Sequence, residues 1–106
     1  MWKEKYNIHT ITNEFLKKRA KLACEDVGLS YGPHYDTVNE KTIINYGNVE
    51  LVRNISGWEL EKLGSDNTGI SYINGNYNSM TKSEMMAFLS GMIEAVRILK
   101  DNGKLL

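Results

Sequence analysis

The sequence has little of several features that define whole classes of protein. Its 106 residues include one cysteine and one proline, and 13 basic side chains balance 13 acidic ones. A single cysteine excludes an internal disulfide framework and a cysteine-rich zinc module. A net charge of zero argues against a strongly nucleic-acid-binding domain. No apolar run reaches the roughly 18 residues of a membrane span, and the start lacks the apolar core of a secretory signal. We therefore predict a cytoplasmic protein without membrane contact.

The composition that remains is typical of one folded domain. Hydrophobic residues make up 42% of the chain, and a chain of this length buries enough surface for one core. The hydrophobic periodicity predicts elements in the order α-β-β-β(-β)-α. We predict a single α+β domain over residues 1–106, in which two helices pack on one face of a three- or four-stranded antiparallel meander.

Local signals predict both helices. The first extends from about Thr12 to Val27, and Gly28 is its expected C-terminal cap because glycine enters the left-handed region freely. The second begins after the capping box formed by Thr81 and Glu84 and extends from Lys82 to about Asp101.

The region between the helices predicts strands. We interpret residues 30–36 as a loop, and we expect residues 41–46 and 49–54 to pair across a tight turn at Gly47 and Asn48. Alternation places Trp58 and Leu60 on one face of the next strand. As an alternative, Gly57 marks a β-bulge, and residues 49–62 then form one long bent strand. Residues 64–69 are a turn before a short strand at residues 70–73.

The zero net charge conceals an uneven distribution. Residues 1–22 contain six basic and two acidic side chains, whereas residues 23–80 contain three basic and eight acidic ones. Both stretches are either solvated faces or surfaces that meet a charged partner. The alternative function that this distribution permits is nucleic-acid binding through the basic side chains of the first helix, which are Lys17, Lys18, Arg19 and Lys21.

Motifs of catalysis and metal binding are incomplete. Gly28-Leu29-Ser30-Tyr31-Gly32 fits a nucleophile elbow in letters, but a helix rather than a strand precedes it. Cys24 belongs to an apolar helix face, and His9 and His34 offer too few ligands at no defined spacing. We predict no catalytic residue, no cofactor and no metal site.

Three aromatic residues have two interpretations. Trp58, Tyr72 and Tyr77 either pack the sheet against the helices or form a protein-binding surface, because Trp and Tyr are favoured interface anchors. Base stacking is disfavoured, since few basic residues lie between them.

Small residues recur every fourth position of the second helix, at Ala87, Gly91 and Ala95. Glycine inside a helix costs about 1 kcal/mol relative to alanine, so a closely approaching backbone would explain Gly91. That backbone belongs to the first helix, to the sheet or to a second copy of the chain. We predict an oligomer interface at these three residues.

The richness in Lys, Asn, Ile and Tyr, together with residues 81–94, resembles small accessory proteins of phages and prophages of Gram-positive bacteria. The resemblance implies a protein that acts by binding, either to regulate phage genes or to interfere with host enzymes or defence systems. The element order also resembles double-stranded RNA-binding domains, which have a lysine cluster where this chain has only Lys82 beside Glu84. We predict a non-enzymatic interaction protein that binds a protein partner and forms a homodimer. Nucleic acid is the less favoured partner.

Overall fold

Two helices enclose five strands in the order α-β-β-β-β-β-α within residues 11–65, 69–75 and 79–103, which the computed structural model describes. The α+β class is confirmed, with one strand more than the three or four predicted. The elements are α1 (Asn13–Asp26), β1 (Tyr35–Val38), β2 (Lys41–Ile44), β3 (Val49–Asn54), β4 (Gly57–Leu63), β5 (Ile70–Tyr72) and α2 (Lys82–Asp101).

Side chains and backbone groups cap α1 at both ends. The Thr12 hydroxyl accepts the Phe15 N–H at 3.0 Å. At the other end Gly28 has φ +86°, and the Leu29 N–H donates to the Cys24 carbonyl at 2.8 Å. This is the glycine-terminated cap that the sequence predicts.

The capping box of α2 is also confirmed. The Thr81 hydroxyl accepts the Glu84 N–H at 3.2 Å, and the Glu84 carboxylate accepts the Thr81 N–H at 2.9 Å. Gly103, with φ +70°, follows the C-terminal cap at Asn102. No helix in the described part of the chain is long and apolar enough to cross a membrane.

The strands form two separate sheets, and this corrects the predicted pairing. β3, β4 and β5 form a three-stranded antiparallel meander, whereas β2 pairs with β1. The predicted hairpin across Gly47 and Asn48 is therefore wrong, because this turn connects the two sheets. Part of the predicted loop at residues 30–36 belongs to β1.

The turn between β3 and β4 consists of Ile55 and Ser56, since Asn54 lies opposite Gly57 in the register. The Asn54 side-chain oxygen accepts the backbone N–H groups of Ser56 and Gly57 at 2.9 and 3.1 Å. The alternative of one long bent strand over residues 49–62 is therefore wrong.

Both helices pack on one face of the meander, as predicted. That face alternates along the strands and presents Val49 and Leu51 of β3 with Trp58 and Leu60 of β4. The core adds buried side chains from the helices, which are Leu16, Ala20, Ala23, Cys24, Met85 and Leu89. The chain that leads into β1 runs along the edge of β3, where the Val49 N–H donates to the Ser30 carbonyl at 2.8 Å and the Gly32 N–H donates to the Val49 carbonyl at 3.0 Å.

Candidate functional site

The β1–β2 ribbon, residues 35–44, exposes its apolar side chains instead of burying them. All eight residues in its two strands are exposed. The exposed fraction is 57% for Tyr35, 48% for Val38 and 44% for both Ile43 and Ile44. Clustered exposed apolar side chains are typical of interaction surfaces.

Both faces of the ribbon share this character. The register places Tyr35 opposite Ile44, so these two side chains lie on one face. Val38 and Ile43 lie on the other face, because side chains alternate along a strand. A two-stranded sheet is only marginally stable alone, so contacts outside the ribbon must support it.

The ribbon turns at Asn39 and Glu40, whose φ angles are +53° and +65°. Positive φ at both central residues is typical of the type I′ turn that joins tightly paired strands. Asparagine tolerates this region better than most residues, whereas glutamate does not favour it. Asn39 was the available signal for this hairpin, and sequence reasoning missed it because the turn lacks glycine.

His34 joins the ribbon to the meander. Its side chain is buried, and its backbone N–H donates to a Glu50 carboxylate oxygen at 3.1 Å. Its Nε2 lies 3.0 Å from the carbonyl oxygen of Glu61. A carbonyl oxygen can only accept, so Nε2 bears the proton in this hydrogen bond.

Asn45, which follows β2, holds the other strand of the ribbon at the end where the ribbon joins the meander. Its backbone N–H donates to the His34 carbonyl at 2.9 Å. Its side-chain amide donates to the Pro33 carbonyl and to the Asp36 carboxylate, both at 2.9 Å. These hydrogen bonds hold the end of the ribbon nearest the meander. The two strands beyond that end remain exposed.

The three predicted aromatic anchors do not form one surface. Trp58 is only 5% exposed and packs in the core, because it faces the helices from β4. Of the two interpretations, this burial supports packing of the sheet against the helices, and the protein-binding role proposed for Trp58 is corrected. Tyr72 is half-buried on β5. Tyr77 lies outside the described residues, and its role as a contact residue stays a prediction.

The small residues of α2 all face outward. Ala87, Gly91 and Ala95 are exposed, and no described atom beyond the helix lies within 4 Å of where a Cβ on Gly91 would be. Neither α1 nor the sheet therefore explains Gly91. The oligomer interface at this row stays a prediction that requires a second copy of the chain.

The basic residues of α1 differ in their surroundings. Lys17 and Lys18 are exposed, whereas Lys21 forms an ion pair with Glu25 at 2.9 Å. Arg19 is half-buried, and its enclosed Nε has no hydrogen-bond partner among the described residues. The four side chains therefore do not present a uniform basic surface.

The acidic stretch that the sequence offers as a partner surface contributes a row of carboxylates to the meander face opposite the helices, where alternation places Glu50, Glu59 and Glu61 together. Burial raises the pKa of Glu59, but accepted hydrogen bonds, first from the Ser79 hydroxyl at 2.8 Å, outweigh burial and hold that pKa below 4.5. Partial burial raises the pKa of Glu61 above 4.5. Its hydrogen bond to Glu59 and the charge of that carboxylate raise the pKa further.

The remaining titratable candidates fit structural roles. Cys24 is fully buried, and burial together with the charge of Glu25 raises the pKa of its thiol to about 11. A thiol with this pKa is a poor nucleophile near neutral pH. His9 lies outside the described residues. Within residues 11–65, 69–75 and 79–103, no three His, Cys, Asp or Glu side chains are placed to hold a metal ion.

An open cleft of about 420 Å³ lies where the last turns of α1 and α2 meet. Its lining consists of Glu25, Asp26, Val27, Gly28, Val96, Leu99 and Lys100. None of the carboxylates on the opposite face of the meander contributes to it.

Comparison with known proteins gives no relative from which a role could be transferred. No family model, no curated protein and no solved structure matches this chain.

Proposed function

We propose that this chain is a non-enzymatic interaction protein that binds an extended segment of a partner protein along the β1–β2 ribbon. The observation that supports the proposal is the exposure of Tyr35, Val38, Ile43 and Ile44 on a ribbon anchored at its base. The proposal agrees with the resemblance to phage and prophage accessory proteins. We also propose that this chain originates from a phage or prophage.

The backbone of the ribbon supports an extended partner. The Asn45 N–H donates to the His34 carbonyl, so these two residues occupy a hydrogen-bonded position of the ladder, although the His34 N–H donates to Glu50 and not back to Asn45. Such pairs alternate along an antiparallel ladder, so Thr37 and Thr42 direct their N–H and C=O groups outward. An added strand pairs with outward groups of this kind, and its alternate side chains bury exposed neighbours.

Side chains next to these groups supply apolar contact area. Tyr35 and Thr37 lie on the same face as Thr42 and Ile44. A partner strand with an apolar residue at every second position covers Tyr35 from the β1 edge or Ile44 from the β2 edge. Tyrosine is among the residues that contribute most to binding when it becomes buried at an interface.

The test is affinity capture from lysate of the native cells with the wild type and two matched double variants. Tyr35→Ser with Ile44→Ser alters the ribbon, whereas Phe15→Ser with Leu22→Ser alters two comparably exposed residues of α1. We expect the ribbon variant to lose a captured protein that both the wild type and the α1 variant retain. Equal capture by all three chains, or no captured protein, would contradict the proposal.

A second pair of variants tests the mode of binding. Proline at an outward position of an edge strand removes an exposed donor and leaves the ladder intact. We expect one of the two variants, Thr37→Pro on β1 or Thr42→Pro on β2, to abolish capture, because the partner strand pairs with only one edge of the ribbon. Retention of the partner by both variants would exclude strand addition.

A further inference from the structure

The cleft at the ends of the helices has two kinds of wall. Val27, Val96 and Leu99 give it an apolar surface, and Glu25, Asp26 and Lys100 place charges on its lining. Its volume of about 420 Å³ lies within the range of small-molecule sites, about 300–1,000 Å³. No residue of the β1–β2 ribbon lines it, so it is separate from the proposed protein-binding surface.

The two helices run parallel, and this gives the cleft a negative field. The Lys82 Nζ donates to the Ile11 carbonyl at 3.0 Å, so both helices start at the same end of the domain. Both helices then end at the cleft, since its lining comes from the last turn of α1 and the last two turns of α2. The C-terminus of each helix has a partial negative charge of roughly half an elementary charge.

The side chains of α1 add to this field instead of balancing it. Its last turn contains acidic Glu25 and Asp26 and no basic residue. Acidic groups at a helix C-terminus are unfavourable, because they face the negative end of the macrodipole. Glu25 is compensated by Lys21 at 2.9 Å, whereas Asp26 has no ion pair or hydrogen bond among the described residues. A local choice that costs stability is typical of a functional position.

We propose that this cleft binds a small amphipathic cation, an ammonium group on a short aliphatic body. The ammonium lies at Asp26, where the carboxylate and both helix ends attract positive charge. The aliphatic body lies against Val27, Val96 and Leu99. Lys100 is the single cation that the described residues contribute to the lining. Because Lys21 compensates Glu25, it is the Asp26 carboxylate together with the two helix ends that outweighs Lys100. The apolar surface alone would also bind a neutral ligand. The negative charge at Asp26 and the helix ends therefore gives the cleft its preference for a cation.

The test is titration of the isotope-labelled full chain with hexylammonium, followed by the amide signals of residues 25–28 and 96–100 in nuclear magnetic resonance spectra. Hexanol has the same body without charge, and hexanoate has the opposite charge. We expect saturable shifts at millimolar hexylammonium, weaker binding of hexanol and none of hexanoate. Equal shifts with all three compounds, or no saturable shift with hexylammonium, would overturn the proposal.

Variants separate binding from stability. We expect Asp26→Asn to weaken hexylammonium binding about threefold to fivefold, as for loss of a partly exposed ion pair. The same variant should melt at an equal or higher temperature, because it removes a charge that opposes the macrodipole. The matched control is Glu40→Gln, an equal change of charge on the ribbon turn. Unchanged binding by Asp26→Asn would overturn the role of the charge.

The apolar contact has its own control on the same turn of α2. Leu99 lines the cleft, whereas Ile98 is similarly exposed and does not. We expect Leu99→Ala to weaken hexylammonium binding at least twofold, because the ligand loses apolar contact equivalent to about one methylene group or less. Ile98→Ala should bind as the wild type does. The same loss in both variants would show that general destabilisation, and not the cleft, explains the effect.

Discussion

Trp58 and Met80 exchange two backbone hydrogen bonds. The Trp58 N–H donates to the Met80 carbonyl at 2.8 Å, and the Met80 N–H donates back to the Trp58 carbonyl at 2.9 Å. This bridge ties the chain that leads into α2 to the edge of β4. Because Trp58 is buried in the core, the bridge also sets where α2 begins its packing on the sheet.

The close approach depends on Gly57, the residue before this tryptophan. Gly57 has φ +140°, and a Cβ at this position would lie 2.7 Å from the Met80 carbonyl oxygen. We predict that Gly57→Ala lowers the free energy of unfolding by about 2–4 kcal/mol, since alanine is both strained and obstructed there. Urea denaturation measures this loss. A loss below about 0.5 kcal/mol, the usual range of neutral surface changes, would contradict it.

Gly91 gives the opposite expectation and is the matched control. No atom of the described residues beyond the helix lies within 4 Å of its hypothetical Cβ, so Gly91→Ala should raise the free energy of unfolding of a single copy by about 0.5–1 kcal/mol. If a second copy packs on Ala87, Gly91 and Ala95, the added methyl group should also shift the mass from light scattering toward the monomer. A wild type that is purely monomeric at high concentration would contradict the predicted oligomer interface.

His34 tests how the ribbon is held. We predict that His34→Ala accelerates amide exchange at Asp36 and Ile43 by about tenfold or more, because losing the buried side-chain hydrogen bond from Nε2 to the Glu61 carbonyl costs about 1–3 kcal/mol. Hydrogen exchange followed by nuclear magnetic resonance measures this locally. Ile55→Ala, at the exposed tip of the β3–β4 turn, should leave these rates unchanged. Equal rates in the wild type and His34→Ala would show that the base does not hold the ribbon.

Glu61 gives a pH-dependent prediction. Its pKa in the folded state is raised above 4.5, so ionising it near neutral pH works against folding. The stability it contributes is present below pH 4.5 and is lost as the pH rises through its folded pKa. We predict that Glu61→Gln is more stable than the wild type at pH 7 and that this gain disappears below pH 4.5. Urea denaturation at both pH values measures the difference.

The pKa of Glu59 is shifted in the opposite direction to that of Glu61, so Glu59 provides a check on the pH dependence predicted for Glu61. Its pKa is lowered in the folded state, so its contribution is present above pH 4.5 and is lost as the pH falls. Glu59→Gln should therefore be less stable than the wild type at pH 7. A gain in stability at pH 7 for both variants would contradict the assignment of the two carboxylates.

Local signals predicted the helices well because each cap involves residues close in sequence. The capping box at Thr81 and Glu84 and the glycine cap at Gly28 need no knowledge of the rest of the fold. Strand pairing is not local. Gly47 and Asn48 resemble a hairpin turn, but the structure uses them to connect two sheets and places the hairpin turn at Asn39 and Glu40.

The candidate site was harder to predict than the fold, because the same apolar residue types form cores and surfaces. Trp58 and Ile44 both occur in strand-like segments, and only the sheet to which each belongs decides that the first is buried and the second exposed. The cleft combines residues about 70 positions apart, from Asp26 to Leu99, so no sequence motif contains it.

The most direct test of the central claim is photocrosslinking from the ribbon inside native cells. Benzoylphenylalanine replaces Tyr35 in one chain and Phe15 in another, since both positions are exposed and aromatic. We predict that the probe at Tyr35 crosslinks to one partner protein, that the probe at Phe15 does not, and that Thr37→Pro or Thr42→Pro removes the product. No crosslink from Tyr35, or the same products from both positions, would contradict a protein-binding role for the ribbon.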